Sequence, residues 1–265
     1  KKGEGHIQLM NSGEDLLYKL LGVNAELLID HAWGWEPCTV GMVKQYRPGS
    51  SSLSSGQVLH EPYDYEKARI IVMEMADDLS LELVRKKLVT DKMVLYIGYD
   101  KESLSRERGI YIYSRTGQPY RGKVVTDPYG RQLPQHAGGS RNLDFPASSS
   151  KLIVDAVLKI FQDKVDPGLL VRRVNVAAVS LVPESQAPGK NSAPVYEQLD
   201  FFTDYEKLQA EQDARMEVLE KERRLQMAML TIRDRYGKNA VLKGTNYREG
   251  ARGRERNAEV GGHRA

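Results

Sequence analysis

Met93-Val94-Leu95-Tyr96-Ile97-Gly98-Tyr99 alternates. Met93, Leu95 and Ile97 fall on one side of an extended chain, and Val94, Tyr96 and Gly98 on the other, because successive strand side chains point to opposite faces. Upstream, residues 64–89 have helical spacing, with Ala68, Ile71, Val72, Met75, Leu79 and Leu83 on one stripe and Asp64 placed to cap the first turn. Before it, Leu53–Leu59 reads as a strand, and after the alternating run Gly109–Ser114 reads as another. Residues 115–150, rich in Gly, Pro, Asp and Arg, read mostly as a long loop. Ser148 is placed to cap a helix over 149–163, with Ile153, Ala156, Val157, Ile160 and Phe161 on one side. Leu169–Val182 is a last strand, in which Val174, Val176 and Ala178 face opposite to Arg173 and Asn175.

Strand, helix, strand, strand, helix, strand is the split βαβ order. It predicts an α+β domain: a four-stranded antiparallel sheet with two helices on one face. The helices claim the Leu95/Ile97 and Val174/Val176 side. The other side, predicted to carry Gln57, Tyr96, Arg173 and Asn175, is polar and open.

Around this unit the chain changes character. Residues 14–33 read as two helices joined at Gly22, whose backbone freedom suits a tight turn. Such a turn can offer N–H groups to a phosphate or be an ordinary helical hairpin. Pro37, Pro48, Gly49 and Ser50-Ser51-Ser52 mark a linker, and Pro183, Pro188, Gly189 and Pro194 mark another. A charged helix follows over 204–236. Residues 243–265 carry six Lys or Arg against three Glu, a +3 that matches the formal charge of the whole chain.

The 265 residues contain 39 Lys+Arg and 36 Asp+Glu, so the net charge of +3 permits nucleic acid without demanding it. No run approaches the ~18 apolar residues of a membrane span, and no signal segment opens the chain. Cys38 is the only cysteine, which excludes an intramolecular disulfide. A cytoplasmic protein is expected. Residue 1 is Lys, and an apolar pattern is already under way by Ile7, so the chain is expected to be a fragment.

No catalytic constellation stands out. Asp77-Asp78 sits inside a helix with side chains about 100° apart, and reads as a solvated face rather than a metal site. His31 and Cys38 fit no standard ligand spacing, and His136 has no assignable Ser, Cys or carboxylate partner. Gly237-Lys238 lacks a phosphate-binding glycine loop. Catalytic residues, metal ligands and a cofactor are therefore not expected in this chain.

Gln198-Leu199-Asp200-Phe201-Phe202 is sharper. An aromatic pair between a Pro-rich linker and a charged helix is costly to expose unless a partner pocket buries it. The alternative is that Phe201 and Phe202 tuck back on the preceding unit.

Taken in order, these stretches resemble the C-terminal part of a bacterial Y-family (DinB/UmuC-type) translesion DNA polymerase, most of all a UvrX-like branch. His6-Ile7-Gln8-Leu9, Leu20–Leu28, His31-Ala32 and Gly34 resemble the end of the thumb. Ser54-Ser55-Gly56-Gln57-Val58-Leu59 and Glu74-Met75-Ala76-Asp77 resemble the start of the little finger, Ile97-Gly98-Tyr99 its second strand, and Arg172-Arg173-Val174-Asn175-Val176 its last. Gln198–Phe202 resembles the family's sliding-clamp-binding peptide, with Phe201 where Leu or Ile usually stands. Arg233-Asp234-Arg235-Tyr236-Gly237-Lys238-Asn239-Ala240 and Gly261-Gly262-His263 resemble the tail of that branch.

The resemblance implies a partial thumb over 1–47, a DNA-binding little finger over 48–183, a linker with the clamp peptide over 184–203, and a charged helix with a basic, partly disordered tail over 204–265. It implies primer–template DNA and a sliding clamp as partners, the family's palm and fingers as a further one, and no membrane. Mg2+ is implied for the full-length polymerase but for no residue here, so this chain is expected to bind without polymerising. The implied backbone contacts on DNA are Ser54, Ser55, Gln57, Tyr96, Arg173 and Asn175, with Arg141 and Arg131 in the loop. The implied clamp contacts are Gln198, Leu199, Phe201 and Phe202.

Two rivals share the fold: a protein-interaction module with no polymerase parent, and an RNA-binding module. The latter needs stacking aromatics on the open face, for which Tyr96 is one candidate, and the Arg/Lys-Gly-Phe-type signature is missing.

Overall fold

The structure is a computed structural model that describes residues 14–22, 24–36, 38–46, 52–128, 130–187, 205–260 and 263–264. The chain forms two compact units, 1–50 and 51–265.

The first unit contains α1 (Glu14–Leu21), α2 (Asn24–Ala32) and α3 (Val40–Gln45). Gly22 joins α1 to α2 at φ +56, the left-handed region that glycine enters without a Cβ penalty. Thr39 caps α3 by accepting the N–H of Met42 at 3.2 Å.

The second unit is built on β1 (Leu53–Tyr63), α4 (Tyr65–Lys86), β2 (Leu88–Tyr99), β7 (Ala137–Ala147), α5 (Ser150–Lys164) and β8 (Val171–Val179). Between β2 and β7 lie two small hairpins, β3 (Leu104–Glu107) with β4 (Ile110–Tyr113), and β5 (Val124–Thr126) with β6 (Gln132–Pro134). The main sheet has the order β1-β8-β2-β7 with antiparallel neighbours, and the short β9 (Val182–Pro183) extends it beside β2. β1 and β2 are parallel with β8 between them, and β7 and β8 are parallel with β2 between them. Both helical crossovers are thus split, and the α+β architecture matches the sequence reading.

Each helix begins where a side chain can satisfy free N–H groups. Asp64 accepts from Lys67 N at 2.9 Å at the head of α4. At the head of α5 the cap is Ser149, accepting from Leu152 N at 3.2 Å, rather than Ser148. Both helices pack on the face carrying Met93, Leu95, Ile97, Val174, Val176 and Ala178, all essentially inaccessible to solvent. Phe161 of α5 joins them and meets the Tyr65 ring of α4 at 4.7 Å between centroids.

Two expectations change. The segment 109–114 belongs to the β3–β4 side hairpin, and the third strand of the main sheet is β7, inside the expected long loop. β7 is an edge strand containing Gly138, Gly139, Ser140 and Asn142. Its alternation is weak because one flank has no partner strand and its place is set by pairing with β2. Most of 238–258 is folded against α4. The cause is Asp77-Asp78 and Glu74, which are not a solvated face. Asp77 accepts from Lys243 Nζ at 2.5 Å and from Ser150, Asp78 bridges Arg233 and Arg256, and Glu74 is buried under the tail. Ahead of that tail, α6 (Tyr205–Tyr236) seats Met229 and Leu230 on Leu81 and Val84 of α4.

Candidate nucleic-acid interface

Directly paired strand residues share a face, so the register reads out the open side of the sheet. One row is Gly56, Asn175, Tyr96 and Gly138. The next holds Val58, Arg173 and Gly98, and on the other flank lie Ser54, Ala177, Val94 and Ser140. Lys92 and Asn142 close the far end. No described helix covers this side: Arg173 and Val58 are exposed and Tyr96 retains 37% of its accessible surface.

Three glycines make this face low. A Cβ at Gly56 would lie 3.1 Å from Nδ2 of Asn175, one at Gly98 would lie 3.1 Å from Cβ of Arg173, and one at Gly138 would lie 2.5 Å from the Leu95 carbonyl oxygen. The first two leave room for the polar side chains of β8, and the third lets β7 close on β2. The result is a shallow floor from which Tyr96, Asn175 and Arg173 rise. No Asp or Glu stands in these rows. Arg173 and Lys92 make no ion pair among the described residues, so their charge is available to an anion.

The sequence-predicted residues divide between the two faces. Ser54, Tyr96, Arg173 and Asn175 stand together on the open face. Ser55 and Gln57 do not: they pair with Val176 and Val174 and share the helix-covered side, where Gln57 accepts from Arg256 at 3.3 Å. The expected placement of Gln57 on the open face fails because β1 is one residue out of phase with that reading. Arg141 pairs with Met93 and therefore leaves edge strand β7 on the helix side. Arg131 sits in the β5–β6 hairpin, tied to Asp127 at 2.6 Å. Gln198, Leu199, Phe201 and Phe202 lie outside the described residues.

Sequence reasoning missed Lys92, which the alternation of β2 itself puts beside Val94 and Tyr96, and Asn142 and Ser140, which only the β2–β7 register brings to the face. It also missed His136, whose ring lies 4.8 Å from that of Tyr96 at 31°. Nothing local in the sequence links His136 to Tyr96.

At the sheet end beside His136 a cleft of about 420 Å3 is walled by Tyr99, Tyr113 and Tyr120. Tyr113 donates to Asp166 at 2.7 Å, and Tyr99 accepts the Asp166 N–H at 3.0 Å. Burial, with a smaller effect from the Asp166 carboxylate, pushes the Tyr99 and Tyr113 phenols up to about 12.

Among the described residues the carboxylates do not fit a resident magnesium ion. The acidic pair of α4 is taken up by Lys243, Arg233 and Arg256, and no cluster of three or more His, Cys, Asp or Glu able to hold a metal occurs among the described residues. Likewise no described helix is long and apolar enough to cross a membrane.

No curated protein matches the chain. The profile of the impB/mucB/samB family C-terminal domain does, over residues 50–191, more than half of the chain and the whole of the sheet with its two helices. The chain therefore belongs to the impB/mucB/samB family and carries its C-terminal domain, the C-terminal region of Y-family DNA polymerases.

Proposed function

We propose that this chain is the DNA-gripping and clamp-tethering C-terminal portion of an error-prone Y-family polymerase that copies past lesions, in SOS damage tolerance in the bacterial cytoplasm. The observation that carries the reading is the open sheet face: low, free of carboxylates in its paired rows, and bearing Arg173 and Lys92 without ion-pair partners among the described residues. A polymerase that tolerates damaged bases must hold DNA without inspecting base edges, so its accessory contacts go to phosphate and sugar. Arg173 and Lys92 supply the charge. Ser54, Asn175 and Asn142 supply hydrogen bonds, and Tyr96 supplies a flat contact. Ser55, Gln57 and Arg141 point elsewhere and are assigned no contact on this face.

Two cations that are unpaired among the described residues make a weak grip. A second attachment raises the effective concentration at the primer end without further DNA contacts. That role is assigned to Gln198, Leu199, Phe201 and Phe202, with Gln198 in a polar subsite of the sliding clamp and the three apolar side chains in its pocket. Nucleotidyl transfer, with its Mg2+, is assigned to the family's palm and to no residue described here.

The test has two arms. Anisotropy of a labelled duplex should show binding that weakens with salt and with Arg173→Ala/Lys92→Ala. Titration with a bacterial sliding clamp should show binding that Phe201→Ala/Phe202→Ala abolishes. Salt-independent or variant-insensitive duplex binding overturns the first assignment, and no clamp binding by the unaltered chain overturns the second.

A further inference from the structure

The open face does not end at Tyr96. His136 stacks beside it and also lines the tyrosine-walled cleft at the sheet end. The cleft is bounded by Tyr113, the segment Pro119–Lys123, the start of β7 and the end of α5 with Asp166. Its size falls within the roughly 300–1,000 Å3 of small-ligand sites.

Its chemistry is one-sided. Arg121, Lys123 and Lys164 line it, are exposed, and make no ion pair among the described residues. The lone carboxylate, Asp166, is occupied: it accepts from Tyr113 at 2.7 Å and from Gly168 N at 2.8 Å. Tyr120 is held edge-on to Tyr113 at 5.2 Å between ring centroids. Gly122 leaves space for that ring, since a Cβ there would run into it. Three cations around a fixed aromatic ring suit a ligand with both a phosphate and a flat face.

We propose that this cleft binds one unpaired nucleotide of the template strand, its phosphates on Arg121, Lys123 and Lys164 and its base against Tyr120 and His136. A base inside a duplex keeps both faces stacked on its neighbours and cannot present one to a side chain, so the ligand is single-stranded DNA. The site rests on the DNA-binding reading of the open face and extends it past the end of the duplex.

The experiment compares a labelled blunt duplex with the same duplex carrying a short single-stranded template overhang, using the full chain. The overhang should tighten binding about fivefold or more, the lower end of what one stacked base contributes. Tyr120→Ala should abolish that gain, and so should Arg121→Glu/Lys123→Glu, whose side chains are exposed and not needed for folding. Blunt-duplex binding should persist in Tyr120→Ala. Equal affinity for the two probes, or a gain that survives in these variants, overturns the cleft and leaves the open-face assignment standing. Failure to bind either probe overturns the open-face assignment, and the cleft with it.

Discussion

The Glu74 carboxylate of α4 receives the backbone N–H groups of Arg252 and Gly253 at 2.9 and 3.0 Å, across nearly the whole length of the second unit. Asn246 Nδ2 donates to the same carboxylate at 2.5 Å, and Glu74 is only 3% exposed. A buried carboxylate that accepts three donors organises the segment that supplies them. Glu74→Ala leaves those donors without a partner and should cost about 3 kcal/mol, given roughly 1–3 kcal/mol per buried unsatisfied group. Denaturant unfolding checks the magnitude. Hydrogen exchange should show the loss of protection concentrated at Arg252 and Gly253.

The long helix α6 is fastened to α4 by a small apolar contact. Leu230 is 8% exposed and packs with Met229 on Leu81 and Val84. Of the surrounding pairs, Arg85–Asp234 at 2.6 Å is exposed and contributes little, whereas Arg233–Asp78 at 3.2 Å is largely buried. Leu230→Ala should therefore cost about 2 kcal/mol, the low end for a buried leucine, because this satellite contact can partly collapse. Arg85→Ala should change stability by no more than about 0.5 kcal/mol. Equal losses from the two variants in chemical denaturation would show that charge, not packing, holds the helix.

The edge strand β7 closes on β2 only because Gly138 has no side chain: a Cβ there would stand 2.5 Å from the Leu95 carbonyl oxygen. Both partners are backbone, so neither can swing aside. Gly138→Val should lower stability by about 2 kcal/mol or more and weaken duplex binding through the displaced Tyr96 row. Thermal unfolding and the anisotropy assay read the two effects.

On the open face, Arg173→Ala and Lys92→Ala should each reduce the slope of log K against log salt by about one, since each removes one phosphate neutralisation. Arg141→Ala should leave that slope unchanged, because its strand position faces the helix side. A slope change at Arg141 equal to that at Arg173 would contradict the face assignment.

The phenols of Tyr99 and Tyr113 are pushed up to about 12, mainly by burial. Above pH ~10 the unfolded chain releases protons that the folded protein still holds. Their contribution is thus fully present below pH ~10 and is lost as pH rises through about 12. Spectroscopic titration should show a late-ionising group of phenolates in the folded protein, absent in denaturant. Tyr113→Phe should shrink that group.

Much of the second unit was legible because its signals are local. Asp64 caps the turn it begins, and the alternation of Met93–Tyr99 and Val174–Ala178 separates buried from open faces one residue at a time. Strand β1 was legible as a strand but not in phase. Ser54-Ser55-Gly56-Gln57 carries no apolar alternation, so only its pairing with β8 decides that Gln57 turns inward and Gly56 outward. β7 was illegible for a related reason, its Gly-Gly-Ser run being extended by β2 rather than by its own propensities. The acidic residues of α4 and the basic tail were each visible as charge, yet their partners lie some 150 to 180 residues apart. The sequence by itself determined the two helices, the buried faces of β2 and β8 and the split βαβ class, through periodicities that act within one element, but not which segment forms the strand beside β2. Tertiary structure alone decided the strand phase, the cleft beside His136 and the seating of the tail on Glu74, because each depends on which distant backbone a short, weakly patterned segment meets.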